Sequence, residues 1–234
     1  MHSHILPGMD DGSADVEMSL NMLRTAGQQG VERIVLTSHY YPVESVADFL
    51  ERRNRAATLL RSAMHASGEA FPELFLGAEV AYRPGIGYEE DLQKLCIGGS
   101  EFLLLELPFA PWGSEVLRDI RNMVCARGIT PILAHLERYL RMQKKKMLTE
   151  VLQQGVLVQL NGETLLERRT RSTALKMIKK GTVHLLGSDC HNMSTRVPNL
   201  GQAVAELMQQ RGMADALNRI EYISMEILEQ AKSL

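Results

Sequence analysis

The residues Met1-His2-Ser3-His4-Ile5-Leu6-Pro7-Gly8-Met9-Asp10-Asp11-Gly12 put two imidazoles and two carboxylates at the very start of the chain. In an extended segment residues two apart project to the same face, so His2 and His4 can reach one ion while Ser3 points away. The turn signals that follow, Pro7-Gly8 and Asp11-Gly12, can return Asp10 or Asp11 to the same point. A lone His-x-His is weak evidence, because two solvated histidines at a chain end would read the same. It gains weight only if the rest of the chain supplies matching ligands.

It does. Apolar runs that read as strands end again and again in a ligand-type residue: 31–39 in His39, 75–80 near Glu79, 102–108 near Glu106, 131–135 in His135 and 183–191 in the pair Asp189 and His191. The run 156–161 ends in polar Asn161. Of the 7 histidines only His65, late in a helical pattern, and His184, near the start of a strand, fall elsewhere, and both read as structural or solvated. Buried charge without a partner is costly, so acids and imidazoles gathered at one place imply compensating cations. Mixed nitrogen and oxygen ligands suit Mn, Fe or Zn.

Helical patterns fill the intervals: Ser13 as N-cap of a helix through about Gln29 with Val16, Leu20, Leu23 and Ala26 on one face, about Val46 to Ala66 stopped by Gly68, Ser114 to Arg127, Lys144 to Gln154, Thr164 to Lys180, Leu200 to Arg211 and Ala214 to Lys232. Strands alternating with helices predict parallel pairing, and near-continuous apolar strands predict burial on both faces. An α/β barrel in a single domain, 1–234, fits best, because the carboxyl ends of such strands meet on one face.

With 45% hydrophobic residues in 234, the chain can bury a substantial core. Lys plus Arg number 26 against 28 Asp plus Glu, a net of −2, which speaks against a nucleic-acid partner. The basic run Arg141 to Lys146 reads as a solvated helix start. No apolar run approaches the ~18 residues of a membrane span, and the start lacks a signal-peptide pattern, so a cytoplasmic location is expected. Cys96, Cys125 and Cys190 form neither a zinc-type pair nor a disulfide framework, in keeping with a reducing compartment.

Taken together, the stretches 2–12, 37–39 (Thr-Ser-His), 77–79 (Gly-Ala-Glu), 129–139 (Ile-Thr-Pro-Ile-Leu-Ala-His-Leu-Glu-Arg-Tyr) and 188–192 (Ser-Asp-Cys-His-Asn) resemble the polymerase-and-histidinol-phosphatase (PHP) superfamily of metal-dependent phosphoesterases. Within it they look most like the bacterial tyrosine-protein phosphatases of capsular and exopolysaccharide synthesis. The resemblance implies a distorted (β/α) barrel of about seven strands, with up to three divalent ions, Mn first and Fe or Zn as alternatives. It implies one ion on His2, His4, Glu79 and Asp189, a second on Glu79, Glu106 and His135, and a third on Asp11, His39 and His191, with Asp11 preferred over Asp10. Arg138 and Arg196 would contact the substrate phosphate. Family members usually carry a few more residues before the first His-x-His, so the resemblance implies either that the true start lies upstream of Met1 or that strand one is cut short.

The implied reaction is hydrolysis of phosphotyrosine, with a metal-bound hydroxide attacking phosphorus in line with the leaving oxygen, on a partner expected to be a bacterial tyrosine kinase. The same residues would serve a small-molecule phosphatase such as a histidinol-phosphate phosphatase, or a catalytically silent metal-binding partner of the polysaccharide machinery. A rival sits in the spacing Cys190-x5-Arg196, which thiolate-dependent phosphatases use. That segment lacks the preceding His and the glycines such a loop needs, and alternation predicts that Cys190 points away from Asp189 and His191.

Overall fold

The computed structural model describes all 234 residues. Its strands are all parallel: β1 (Arg33–Leu36) pairs with β3 (Glu73–Leu76), and β2 (His39–Tyr40), β4 (Glu79–Ala81), β5 (Phe102–Glu106), β6 (Thr130–Leu133), β7 (Leu157–Asn161) and β8 (Leu185–Gly187) pair in that order. The segment His2 to His4 closes the ring. Its only bridge is Ser3 with Cys190, but Asp189 N–H donates to His2 O (2.9 Å), His4 N–H to Cys190 O (2.9 Å) and Thr37 N–H to Ser3 O (2.8 Å).

The predicted strand 31–39 is broken. β1 stops at Leu36, and His39 opens β2 instead of closing a strand; the neighbouring run breaks likewise between β3 and β4 at Gly77-Ala78. At the break Glu79 N–H donates to Thr37 O and Ser38 O (3.2 and 3.1 Å), while the Thr37 hydroxyl accepts Ser3 N–H (3.0 Å). These bonds replace the regular ladder and leave His39 paired in register with Glu79.

The two-residue period of each strand sorts the interior. On β5, Phe102 and Leu104 lie in the inner apolar cluster with Val35, Ile132 and Leu185, whereas Leu103 and Leu105 pack outward against the helices. The same alternation carries inward Glu106 on β5, Gln159 and Asn161 on β7, and Gly187 with Asp189 at the end of β8. The barrel thus has an apolar floor, sealed by Ile227 and Leu228 of α8 (Ala214–Glu229), and a polar top.

The outer helices are α1 (Val16–Gln28), α2 (Val46–Ser67), α3 (Ser114–Arg127), α4 (Lys145–Leu152), α5 (Glu163–Leu166), α6 (Arg171–Lys179), α7 (Leu200–Met208) and α8. Gly68 ends α2 at φ 66°, as predicted. Two expectations are corrected. The N-cap of α1 is Asp15, whose carboxylate accepts Met18 N–H, and its buried face is Ser19, Met22, Leu23 and Ala26; Ser13 is buried, with its hydroxyl on Ser19 Oγ and Asp15 O. The helix expected over 164–180 is two, because the Thr170 hydroxyl takes Thr164 O and the Arg171 guanidinium takes Leu165 O and Leu166 O, ending α5 early. His184 accepts Val158 N–H through Nδ1 (3.0 Å) and His65 is exposed on α2, so both lie away from the polar top.

Gly187 faces the barrel interior where no side chain fits: a Cβ there would lie 2.7 Å from His2 Cβ and 2.7 Å from Gln159 Nε2. Gly187→Ala is therefore expected to cost about 1–3 kcal/mol by overpacking. Thermal denaturation checks this, at about 2–4 °C per kcal/mol for a chain of this size; an unchanged Tm would refute the close approach.

Candidate metal centre

The centre is built around Glu79, a carboxylate 1% exposed at the start of β4. His2 Nδ1 lies 3.1 Å from Gln159 Oε1, and His4 Nδ1 lies 2.8 Å from Asp10 Oδ2. Both partners can only accept, so each ring carries its proton on Nδ1 and turns the Nε2 lone pair inward. The Gln159 orientation is set independently, since Oε1 also accepts His135 N–H (2.8 Å) and Nε2 donates to Asn161 Oδ1 (2.9 Å). The two Nε2 atoms face each other at 3.2 Å, each 3.1 Å from Glu79 Oε2, and 3.3 and 3.5 Å from Asp189 Oδ1. With both rings neutral, as metal ligands must be, four acceptor atoms thus converge on one point, and Glu79 Oε2 is buried among them without a hydrogen-bond partner. Such a donor set fits a divalent cation of the Mn, Fe or Zn type, held by His2, His4, Glu79 and Asp189.

Two further groups adjoin it. His39, Glu79 and Glu106 can hold one ion, with His135 Nε2 3.0 Å from Glu79 Oε1 and 3.3 Å from Glu106 Oε1. Asp11, His39 and His191 gather with His4 in the other, Asp11 Oδ1 lying 3.6 Å from His39 Nε2 and 3.4 Å from His191 Nε2. His191 Nδ1 faces Asp189 O at 3.0 Å, which leaves its buried Nε2 unpartnered and aimed at Asp11. His135 and Asp189 reach these places only by left-handed backbone, φ 33° and 51°; this is uncommon for non-glycine residues and concentrates at functional sites. The same-face pairing expected of Asp189 and His191 on a regular strand is thus achieved by a kinked one. Cys190, as predicted, turns away into the core.

The structure separates Asp10 from Asp11. Asp10 Oδ2 accepts both His4 Nδ1–H and His39 N–H (2.7 Å), and Oδ1 accepts Gly12 N–H (3.0 Å), so Asp10 orients His4 from behind. Burial alone would raise its carboxyl, but these donors hold it at about 2. Asp11, two-thirds exposed, is the one that reaches His39 and His191.

Sequence reasoning missed Asp10 in this role, and it missed Gln159 entirely. The readable signal was Gln159 standing two residues before Asn161 in an otherwise apolar strand. Asn161 Nδ2 donates to Asp189 Oδ2 (2.8 Å), where the half-buried guanidinium groups of Arg138 (2.6 Å) and Arg196 (2.7 Å) also meet. Both arginines therefore stand beside the acceptor cluster, joined to it through Asp189 Oδ2.

Once the cations are removed by a chelator, protons can carry the compensating charge. Burial disfavours charge on both His4 and His135, yet the carboxylates beside them, Asp10 and Glu79 for His4 and Glu106 and Glu79 for His135, push them up to about 10 and about 9. His191, with its ring centroid 3.8 Å from that of His4, is lowered to about 4 by burial and by the neighbouring His4 and Arg196 charges. Burial would raise Glu79 and Asp189, but the surrounding histidines keep both carboxyls far below their usual range, Arg138 adding to the effect on Asp189.

Two outcomes follow. Asp10→Ala should weaken metal binding by about 10- to 100-fold through loss of the His4 orienter, read by metal titration; unchanged affinity would assign Asp10 a merely structural role. In chelator-treated protein, His4 and His135 have pKa values raised above the ordinary 6.5, so their contribution to stability is complete below that pH and is lost as pH rises through about 9 and about 10. Melting curves of the stripped protein should therefore fall across that window, and a metal-saturated sample should not follow them.

The family described as "Capsular polysaccharide synthesis, CpsB/CapC" matches residues 1–228. Tyrosine-protein phosphatase CpsB of Streptococcus agalactiae serotype V is 27% identical over 217 residues, covering 87% of this chain and 86% of that protein. Tyrosine-protein phosphatase YwqE of Bacillus subtilis strain 168 is 26% identical over 231 residues, 91% of this chain and 84% of its own. CpsB of Streptococcus pneumoniae is 28% identical over 235 residues, covering 92% of each. A chain from the crystal structures of YwqE from Bacillus subtilis and CpsB from Streptococcus pneumoniae, described as unique metal-dependent tyrosine phosphatases, superposes with a TM-score of 0.81 over 100% of this chain and 96% of that one, at 23% identity, and so shares the fold. With one family spanning nearly its whole length, over a curled parallel α/β sheet whose top gathers imidazoles and carboxylates, this chain belongs to the CpsB/CapC capsular polysaccharide synthesis family.

Proposed function

We propose that this chain is a metal-dependent protein-tyrosine phosphatase of capsular or exopolysaccharide synthesis, acting as a single catalytic domain over 1–234. The observation that carries the reading is the convergence of His2 Nε2, His4 Nε2, Glu79 and Asp189 on one point, with Arg138 and Arg196 beside it. Divalent cations bound there would supply positive charge at phosphoryl oxygens and bring the pKa of a bound water from 15.7 toward ~7. His2, His4, Glu79 and Asp189 would hold one ion, Glu79, Glu106 and His135 a second, and Asp11, His39 and His191 a third. Manganese is our first candidate, with iron or zinc accepted by the same donors.

Arg138 and Arg196 act as the phosphate clamp. Their planar forks match phosphate oxygens bidentately, and an incoming phosphate can draw them from Asp189 Oδ2, freeing that oxygen toward the ions. A phenolate, with a pKa of ~10, departs with less help from a general acid than an alkoxide, which suits a site whose histidines are turned toward carboxylates and ions. Cys190 does not serve as nucleophile: its thiol is buried and pushed up to about 11 by that burial, and a thiol of this kind is inert at neutral pH. The relatives' printed names support phosphotyrosine on a protein as substrate, and we infer a bacterial tyrosine kinase as its bearer. No helix is long and apolar enough to cross a membrane, and Cys96, Cys125 and Cys190 are all unpaired, in line with the cytoplasmic location we assign.

Chelation should abolish hydrolysis of a phosphotyrosine peptide and Mn²⁺ restore it, while Cys190→Ser leaves it intact. Arg138→Ala and Arg196→Ala should each lower kcat/KM by about 10²-fold, the scale of losing one preorganised charge donor. Histidinol phosphate run in parallel tests the small-molecule alternative, and metal uptake with no turnover of either ester would leave a silent binding partner. Activity that survives chelation and dies with Cys190→Ser would overturn the assignment.

A further inference from the structure

Two aromatic rings stand half in water at the mouth of the centre. Phe109, in the turn after β5, is 50% exposed and lies stacked on His135 (centroids 5.8 Å apart, planes at 22°) and on Tyr139 (5.5 Å, 25°). Its backing is rigid: Tyr139 is fully buried, its hydroxyl accepts Leu107 N–H (3.0 Å), and Trp112 meets it edge-on at 5.1 Å. Tyr41, two residues beyond His39, is 48% exposed and stacked on the His39 ring (5.2 Å, 24°).

The two histidines beneath them face the same pair of acids, His39 Nδ1 at 3.2 Å from Glu79 Oε2 and His135 Nε2 at 3.3 Å from Glu106 Oε1. The rings therefore border the Glu79–Glu106 carboxylates from the His39 side and the His135 side.

Neither half-exposed face is needed for packing, and each is aromatic where any apolar residue could have covered a histidine. We propose that Phe109 and Tyr41 form an aryl-binding mouth that selects phosphate esters of phenols over those of aliphatic alcohols. This rests on the phosphatase reading above. A phosphate seated among the ions and Arg138 and Arg196 must direct its ester oxygen outward, because the floor beneath is closed by buried side chains. A phenolic ester then puts a flat ring one bond beyond that oxygen, level with two rings it can meet in offset-stacked or edge-to-face geometry. An aliphatic ester puts a tetrahedral carbon there, which meets neither.

The test uses Mn²⁺-loaded protein and calorimetry with inorganic phosphate, ethylphosphonate and benzylphosphonate, in both of which phosphonates a methylene replaces the ester oxygen. Wild type should bind benzylphosphonate about 3- to 10-fold more tightly than ethylphosphonate, the range given by one or two aromatic contacts. Phe109→Ala and Tyr41→Ala should each remove much of that preference, while Phe109→Trp and Tyr41→Phe keep it. Inorganic phosphate should bind all five proteins alike, with equal manganese content. No preference in wild type, a preference that survives both alanine variants, or parallel weakening of all three probes overturns the proposal. The same preparations assayed on a phosphotyrosine peptide separate the two claims: an inactive wild type with the binding preference intact removes the phosphatase reading and leaves the aryl mouth standing.

Discussion

A carboxylate buried at the top of a barrel has to be neutralised, and the rest of this structure follows from how Glu79 meets that requirement. Its Oε2 lies within 3.1–3.2 Å of ring nitrogens from His2, His4 and His39, and its Oε1 within 3.0 Å of His135. A buried charge without compensation would cost several kcal/mol. The chain meets this demand with groups from three separated stretches, and neighbouring carboxylates would repel one another unless cations lay between them. The breaks in the ladders at Thr37-Ser38 and Gly77-Ala78 belong to the same requirement, since they let His39 and Glu79 sit side by side where the closing segment His2 to His4 crosses.

The barrel divides its labour along the strand axis. Below, Val35, Phe75, Leu104, Ile132 and Leu185 form a dry floor with Ile227 and Leu228; above, the same inward positions become Glu106, Gln159, Asn161 and Asp189. Apolar burial at about 25 cal/mol per Å² supplies stability in the lower half, so the upper half can tolerate left-handed His135 and Asp189 and unpartnered acceptor atoms.

Around the acceptor cluster lies a layer that does not face the ions. Asp10 fixes the His4 tautomer, Gln159 fixes that of His2 while also holding His135 N–H, and Asn161 joins the two arginines on Asp189 Oδ2. Such orienters raise the basicity of a ring and lock its direction. Asp189 thereby links the two halves of the site, with Oδ1 toward the histidine pair and Oδ2 toward the arginines that stand where a phosphate would enter.

Much of this was legible in the sequence. The strand and helix rhythm, the polar residues at strand ends and the His-x-His opening follow from local periodicity, and they predicted the parallel barrel with His2, His4, His39, Glu79, Glu106, His135, Asp189 and His191 at one rim; Asp11 and the two arginines, Arg138 and Arg196, entered only through the family resemblance. The identity of the orienters was not legible, because Asp10 and Asp11 are chemically identical in sequence and only the turn at Gly12, with His39 N–H across the gap, gives them different partners. Nor could periodicity show that His39 starts a strand, that the helix over 164–180 divides, or that Phe109 and Tyr41 cover two of the histidines. Those facts depend on hydrogen bonds and stacking between residues distant along the chain, and only the closed barrel brings such residues within reach of one another.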